Sequence, residues 1–441
     1  MTAVHDLHPN PHPDPEYPDP VVGPSKPRFL SVLGPGLITG ASDDDPSGIA
    51  TYSQAGAQFG YALGWTLILT LPLMVAIQLI AARIGRVTGN GLARNVARHY
   101  PAWLLLTLVF LVTGANIINL GADLGAMGDS VALVVGLPRW ALVIGFGALS
   151  VLMEVFLQYT SYVSVLKWAT LALLAYVATL FMVHVPWGRA LSELVIPKFQ
   201  WNADYITTVV AVLGTTISPY LFFWQASQEA EDIHAFPHRE PLRRVPSQGK
   251  VALQRIELDT NVGMAASNLV ALAIIFTTAS TLFVHHMTQI DTSAQAAEAL
   301  RPIAGPYAAT IFALGVVGTG ILAIPVLAGS AAYAIGESLG WKIGLGRQPL
   351  EARAFYGAIA LATLLGVAMN FAPINPIRAL YWSAVLNGVT AAPIMVVMML
   401  LVTRRKVMGE FVARGWLVWL GWAGAVAMGA TAVIMIGSWF V

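Results

Sequence analysis

The sequence predicts an all-α membrane protein of about eleven spanning helices: an inverted repeat of two five-helix halves plus one extra C-terminal helix. Three observations predict it. Charge is scarce, apolar runs reach spanning length again and again, and the first helix of each half is interrupted near its middle.

Of the 441 residues, 56% are hydrophobic and 11% charged, with a mean hydropathy of +0.68. A soluble domain carries about 25% charged residues, so most of this surface does not face water. Crossing a hydrocarbon core of about 30 Å takes roughly 20 apolar residues as a helix. A transmembrane barrel would need alternating apolar and polar strands, and the runs here are unbroken. The chain has no cysteine, which excludes a disulfide framework, a thiolate metal site and a cysteine nucleophile. A net charge of +1 leaves no nucleic-acid footprint. Residues 1–27 read as a disordered cytosolic tail rather than a cleaved leader. His5, His8 and His12 in it are read as part of a solvated low-complexity segment before a loose metal site.

Apolar runs bounded by charge or Pro/Gly clusters fall at about 30–58, 62–82, 103–127, 139–158, 163–184, 203–229, 257–284, 306–336, 354–372, 378–402 and 416–440. Residues 28–441 are read as one transporter domain, with repeats over 30–184 and 203–402 and the eleventh helix at 416–440. With the N-terminus cytosolic, 19 of the 24 Lys and Arg fall in inner segments. That bias is the positive-inside pattern; an odd number of spans then puts the C-terminus outside, and the expected location is the plasma (inner) membrane. Residues 84–100 read as an interfacial amphipathic helix, and 230–255, with three prolines, as a flexible inner linker. Trp103, Trp140, Trp187, Trp341 and Trp439 read as interfacial belts.

The first span contains Asp43-Asp44-Asp45-Pro46-Ser47-Gly48. Proline removes a backbone donor and clashes with the carbonyl four residues earlier, and Gly48 permits an unwound backbone. Each carboxylate would cost about 2.5–3.5 kcal/mol in lipid, so the three must face the bundle interior, a cation or water. Neighbouring helical residues diverge by about 100°. Asp45, beside the break, is therefore the expected ligand, with Asp44 or Asp43 lining the approach. The sixth span carries a second break, Gly214-Thr215-Thr216-Ile217-Ser218-Pro219-Tyr220. Paired interrupted helices in two halves point to a midplane binding site in an inverted-repeat transporter.

At these segments the sequence resembles the Nramp family of divalent-metal transporters. Gly34-Pro35-Gly36, Asp45-Pro46, Gln54-Ala55-Gly56-Ala57, Gly60-Tyr61 and Trp65 match its first helix and the entry to the second. Ala82-Arg83-Ile84-Gly85-Arg86-Val87-Thr88-Gly89 with Gly91-Leu92-Ala93 matches its first inner connection. The resemblance implies Asp45 as a metal ligand, with backbone carbonyls at Ser42 and Thr215 beside it.

The departures change the implied ligand set. The family's Asp-Pro-Gly-Asn becomes Asp45-Pro46-Ser47-Gly48, which removes an amide at Gly48. Its Met-Pro-His becomes Ser218-Pro219-Tyr220, which replaces a thioether with a hydroxyl. In span 10 the amide region holds Ala384 and Val385, with Asn387 the nearest polar candidate. Oxygen ligands alone suit Mg²⁺, Mn²⁺ or Ca²⁺, and Mg²⁺ keeps several waters. The expected metal set is Asp45, Ser42, Gly48, Thr215, Ser218, Asp44 and Asn387, and the branch resembled is that of the Nramp-related magnesium transporters.

The family's proton-relay histidine aligns with Gln225, and all nine histidines lie in the tail, in loops or near span ends. Asp43, Gln54, Asp123, Tyr220, Gln225 and Glu229 are the candidates for a permeation or coupling path. Glu154 and Glu231 are further acidic positions, while Asn116, Asn119, Asn268 and Asn387 read as interhelical glue. The expected activity is movement of Mg²⁺ or Mn²⁺ by alternating access without proton coupling. The alternatives are a proton-coupled Mn²⁺/Fe²⁺ importer, a channel, and a sodium-coupled amino-acid carrier, whose substrate carboxylate the aspartates would repel. No nucleophile–base pair suggests an enzyme, and no resident cofactor is expected. The partners are the metal ion and the bilayer; the oligomeric state is open, and a monomer is compatible.

Overall fold

The computed structural model describes residues 39–40, 42–156, 174–235 and 239–440. The tail histidines, Gly34-Pro35-Gly36 and residues 163–173 of the fifth predicted span lie outside them. Regular structure among the described residues is all helical.

In the first half, helical residues 39–40 and 42–43 precede the break, and α1 (Pro46–Phe59) follows it. Then come α2 (Gly64–Thr88), the short α3 (Leu92–His99), α4 (Ala102–Val135), α5 (Arg139–Phe156) and α6 (Leu174–Leu180). A short connecting helix, α7 (Trp187–Val195), leads to the second half. There the sixth span is split into α8 (Ala203–Thr216) and α9 (Pro219–Ala235), followed by α10 (Gly249–Thr278), α11 (Ser293–Glu298), α12 (Ala308–Leu339), α13 (Arg353–Met369) and α14 (Pro376–Val402). The last helix is α15 (Trp416–Ser438). Among the described residues eight helices are long and apolar enough to cross a membrane. The broken first span, the partly described fifth and the 17-residue α13 account for the rest of the predicted eleven. The predicted class holds: all-α, two five-helix halves that each open on a broken helix, and one extra helix.

Burial shows which helices sit centrally. The apolar window within residues 203–233 is 94% buried, against 22% in α5 and 33% in α15. The broken span is therefore enclosed by protein, which irregular backbone at membrane depth requires. The periphery is apolar outward: Leu106, Phe110, Leu152, Leu364 and Val433 are exposed, as a lipid-facing surface would be. Trp103, Trp140, Trp187 and Trp439 are exposed near helix ends. Asn116 and Asn268 act as glue: Asn116 Nδ2 donates to the Leu327 carbonyl at 3.0 Å and to Ser330 Oγ at 2.7 Å, and Asn268 Nδ2 to the Leu67 carbonyl at 3.2 Å. α1 packs tightly on α10 at Gly56, where a Cβ would lie 2.0 Å from Thr278 Oγ1. Only glycine permits that approach.

Two connections differ from expectation. α2 runs on to Thr88, and Gly89, at φ 66°, ends it in the left-handed region that favours glycine. Only Leu92–His99 forms the separate amphipathic helix, with Leu92, Ala93 and Val96 buried and Arg98 exposed. The 230–255 connection is no flexible linker over residues 239–248, but a packed strap. The Leu242 and Arg243 amides donate to the Arg86 and Val87 carbonyls at 3.3 Å each, and Leu242 is fully buried. Arg86 Nη1 reaches the Glu240 carbonyl at 3.3 Å and Nη2 reaches Gln248 Oε1 at 3.2 Å. Proline restricts the chain without unfolding it, and one inserted leucine anchors the strap.

Candidate cation site at the two helix breaks

Pro46 cannot donate a backbone hydrogen bond, so the helix restarts there with Asp45 as its cap. Asp45 is extended (φ −68°, ψ 169°), and its Oδ1 accepts from the Gly48 amide at 2.7 Å. The carboxylate thereby sits at the positive end of α1. Capping alone would explain one oxygen. The other, Oδ2, accepts from Asn119 Nδ2 on α4 at 2.9 Å and from the Tyr220 hydroxyl on α9 at 3.3 Å. Asn119 is itself oriented by Ser383 on α14, whose Oγ donates to Asn119 Oδ1 at 2.8 Å. Four elements thus converge on one fully buried carboxylate.

The second break lies directly opposite. α8 ends at Ile217 (φ −118°, ψ 61°), and Ser218 Oγ lies 2.9 Å from the Gly214 carbonyl and 2.8 Å from that of Thr215. The Tyr220 hydroxyl also lies 3.1 Å from the Ser42 carbonyl. The two carbonyls expected as ligands, Ser42 and Thr215, are therefore both covered by hydroxyl groups of the other break or their own. A Cβ on Gly48 would sit 3.2 Å from Thr215 Oγ1 and 3.3 Å from the Tyr52 ring. A side chain at Gly48 would crowd this contact.

Around this contact the polar atoms outnumber their partners. Asp43 Oδ2 accepts from Ser267 Oγ at 2.8 Å, and Asp44 Oδ1 lies 3.2 Å from the same hydroxyl. Among the described residues, Asp43 Oδ1, both carboxylate oxygens of Asp123 and the hydroxyls of Ser42, Ser47, Thr51, Tyr52 and Thr215 are buried without a well-formed hydrogen bond, Ser47 standing beside Asp45 and Tyr52 beside Thr215. Asp123 faces the Ser47 amide and interacts with Asp45, while Tyr220 stands among Asp45, Asp43 and Asp123. Among the described residues no Lys, Arg or His forms an ion pair with any of these aspartates. Nor do three His, Cys, Asp or Glu side chains gather into a metal cluster among them. Buried polar groups in folded proteins are nearly always paired, and a concentration of unpaired ones marks a place for water or an ion.

The other candidates lie on either side. Gln54, two turns along α1, ties down the segment after α10: its Nε2 donates to the Thr288 carbonyl at 3.0 Å and its Oε1 accepts from the Ile290 amide at 3.0 Å. It lines a cleft of about 370 Å³ with Ala50, Asp204, Thr207, Asp291 and Tyr381. That vestibule stops at Ala50, short of Asp45. In the other direction Gln225 bonds Thr39, and its Nε2 is buried without a partner. Further on, Glu229 Oε2 accepts from Arg255 Nη2 at 2.7 Å. Asn387 is buried with both amide atoms unpartnered; the hydrogen-bonded link from α14 to Asp45 runs through Ser383, one turn earlier.

Asn119 and Ser383 are the residues that the sequence did not single out for the site. A signal existed: Asn116, Asn119 and Asp123 fall on one face of α4, and Ser383, Asn387 and Thr390 on one face of α14.

The sequence profile described as "Natural resistance-associated macrophage protein-like" (Nramp) matches residues 36–438. The chain belongs to the Nramp family. It is 26% identical over 420 residues to a divalent metal cation transporter, MntH, of Klebsiella pneumoniae, covering 93% of this chain and 94% of that one. Its fold is similar to the crystal structure of the Eremococcus coleocola manganese transporter, with a TM-score of 0.72 at 16% identity over 95% of this chain and 89% of the other. It is also similar to that of Mhp1, a nucleobase-cation-symport-1 family transporter, with a TM-score of 0.56 at 14% identity over 95% of each chain. An Nramp protein with these apolar helices is an integral membrane protein.

Proposed function

We propose that this Nramp protein is a secondary transporter that carries a hard divalent cation, Mg²⁺ or Mn²⁺, through the two helix breaks by alternating access. The K. pneumoniae relative is described as a divalent metal cation transporter and the E. coleocola protein as a manganese transporter, which supports the cargo class. The observation that carries the reading is the enclosed group of aspartate and hydroxyl oxygens, which no Lys, Arg or His among the described residues neutralises. Asp45 is the principal ligand, with Asp43, Asp44, Asp123 and the Ser42 and Thr215 carbonyls available once Tyr220 and Ser218 swing aside. No sulfur or nitrogen ligand stands among them, and oxygen donors suit hard cations. With few protein ligands the ion keeps part of its water shell, as Mg²⁺ does elsewhere.

Cation movement proceeds without proton exchange, since the relay position holds Gln225 and no imidazole lies at the site. The basic face faces the cytosol, the vestibule under Gln54 opens outside, and residues 28–441 act as one domain behind the tail. Proteoliposomes carrying a magnesium-sensitive and a pH-sensitive dye test this. Saturable Mg²⁺ entry with no lumenal acidification, lost in Asp45→Ala, is expected. Acidification that tracks Mg²⁺ entry contradicts the uncoupled mechanism, and unchanged entry in Asp45→Ala places the site elsewhere. The absence of native cysteine makes single introduced cysteines clean reporters of which face is cytosolic.

A further inference from the structure

The basic face holds a second feature that the transport site does not use. A cleft of about 450 Å³ opens between the end of α2, the end of α3, the end of α9 and the strap. Arg98, Arg243 and Arg244 line it together with Thr88 and Asn90, and no carboxylate is among its lining residues. Each of the three arginines is exposed. None takes part in the ion pairs formed among the described residues, which engage Arg189, Lys198, Arg239, Arg255, Arg301 and Arg378.

Positive charge on this face follows from membrane insertion alone, and scattered arginines would need no further account. These three are not scattered. Arg243 and Arg244 are delivered by a strap whose backbone is hydrogen-bonded to α2 through Arg86 and Val87. Pro241 of the strap packs onto Gly89, where a Cβ would approach Pro241 Cγ to 2.6 Å and the backbone is left-handed. The fit between strap and helix end is therefore specific, and it turns two guanidinium groups toward the cleft that Arg98 enters from α3. Three like charges in one concavity repel unless an anion joins them. A guanidinium matches phosphate oxygens with paired donors.

We propose that this cleft binds a phosphate-bearing anion at the membrane surface, and that its occupancy clamps the strap and the end of α9 to α2 and α3. Basic pockets between helices at the cytoplasmic surface are suited to acidic phospholipid headgroups, and a soluble phosphate compound offers the same oxygens. The clamp acts on α9, the half-helix that carries Tyr220, so it bears on the equilibrium between the two access states.

The test uses the purified full-length protein in neutral detergent and reads its thermal unfolding midpoint against three probes: phosphatidylglycerol, phosphatidylcholine and inorganic phosphate. Phosphatidylglycerol is expected to stabilise the wild type with a saturable dose dependence, and phosphatidylcholine is not. The triple variant Arg98→Gln/Arg243→Gln/Arg244→Gln is expected to need at least about tenfold more phosphatidylglycerol for the same shift. Lys342→Gln/Arg353→Gln/Arg405→Gln removes the same charge from exposed positions outside the cleft, and is expected to change the dose less than about twofold. Equal losses in both triples would overturn the proposal in favour of diffuse attraction, as would no stabilisation by either phosphate source. Stabilisation by inorganic phosphate that competes with the lipid assigns the site to soluble phosphates; stabilisation by lipid alone assigns it to a headgroup. If the cleft triple does not fold, Arg244→Gln alone is measured, where an unchanged dose dependence contradicts the clamp.

Discussion

Two groups of acidic side chains border the broken sixth span, and they are satisfied in opposite ways. Near the basic face, Glu229 and Asp232 on α9 meet Arg255 at 2.7 and 3.5 Å, and Arg239 pairs with Asp232. At the breaks, Asp43, Asp44, Asp45 and Asp123 meet hydroxyls, amides and each other, but no guanidinium or ammonium among the described residues. A buried charge is costly unless paired. The first cluster carries its cations within the chain. Among the described residues the second has none, and a fixed arginine there would compete with a mobile cation for the same oxygens. The contrast is between carboxylates that the chain itself neutralises and carboxylates left for a mobile cation under the proposed function.

Four substitutions break or sharpen that contrast. Asp45→Ala removes the carboxylate that four elements hold, and Mg²⁺ binding measured by calorimetry is expected to weaken at least about a hundredfold, or about 3 kcal/mol. Asn119→Leu leaves Asp45 Oδ2 short of its donor on α4. With a hydrogen bond to a charged group worth about 1.5–3 kcal/mol, binding is expected to weaken by about tenfold. Glu229→Gln does the opposite to each readout: cation affinity stays within about threefold, while thermal unfolding reveals a loss of about 3 kcal/mol from the broken pair, the low end for a buried pair because Asp232 still faces Arg255. A Glu229→Gln variant that binds no cation would merge the two clusters into one functional unit.

The smallest effect lies outside the spanning segments, at Glu193 on α7. Burial pushes its carboxyl up, but Lys198 at 2.7 Å and Arg189 at 2.9 Å outweigh that and hold it below the usual range. A lowered folded value stabilises the protein above the unfolded value of about 4.3 and loses that contribution as pH falls through the folded one. Glu193→Gln is expected to flatten the acid limb of thermal stability slightly and to leave cation binding untouched.

Much of this was legible in the sequence, for physical reasons. The breaks at 43–48 and 214–220 show because Pro and Gly interrupt otherwise apolar runs, and the spans show because lipid demands continuous hydrophobicity. Asn119 and Ser383 were obscured because a polar residue in a spanning helix looks the same whether it joins two helices or orients a ligand. Only the fold brings Asn119 to Asp45, 74 residues away in sequence. Prolines signal irregular backbone at the strap, and irregular backbone is not the same as mobile backbone once Leu242 is buried. Along the chain Asn387 is the polar residue nearest the family's amide position, while the hydrogen bond that the fold shows from α14 to Asn119 comes from Ser383, one turn earlier.

On the proposed function, oxygen ligands alone, on carboxylates that no described cationic side chain neutralises, select a hard cation. Titrating the purified wild type with Mg²⁺, Mn²⁺ and Cd²⁺ by calorimetry tests it most directly. Mg²⁺ and Mn²⁺ are expected to bind saturably to a site lost in Asp45→Ala, with no preference for Cd²⁺. Tight binding of Cd²⁺ together with no detectable binding of Mg²⁺ would contradict it.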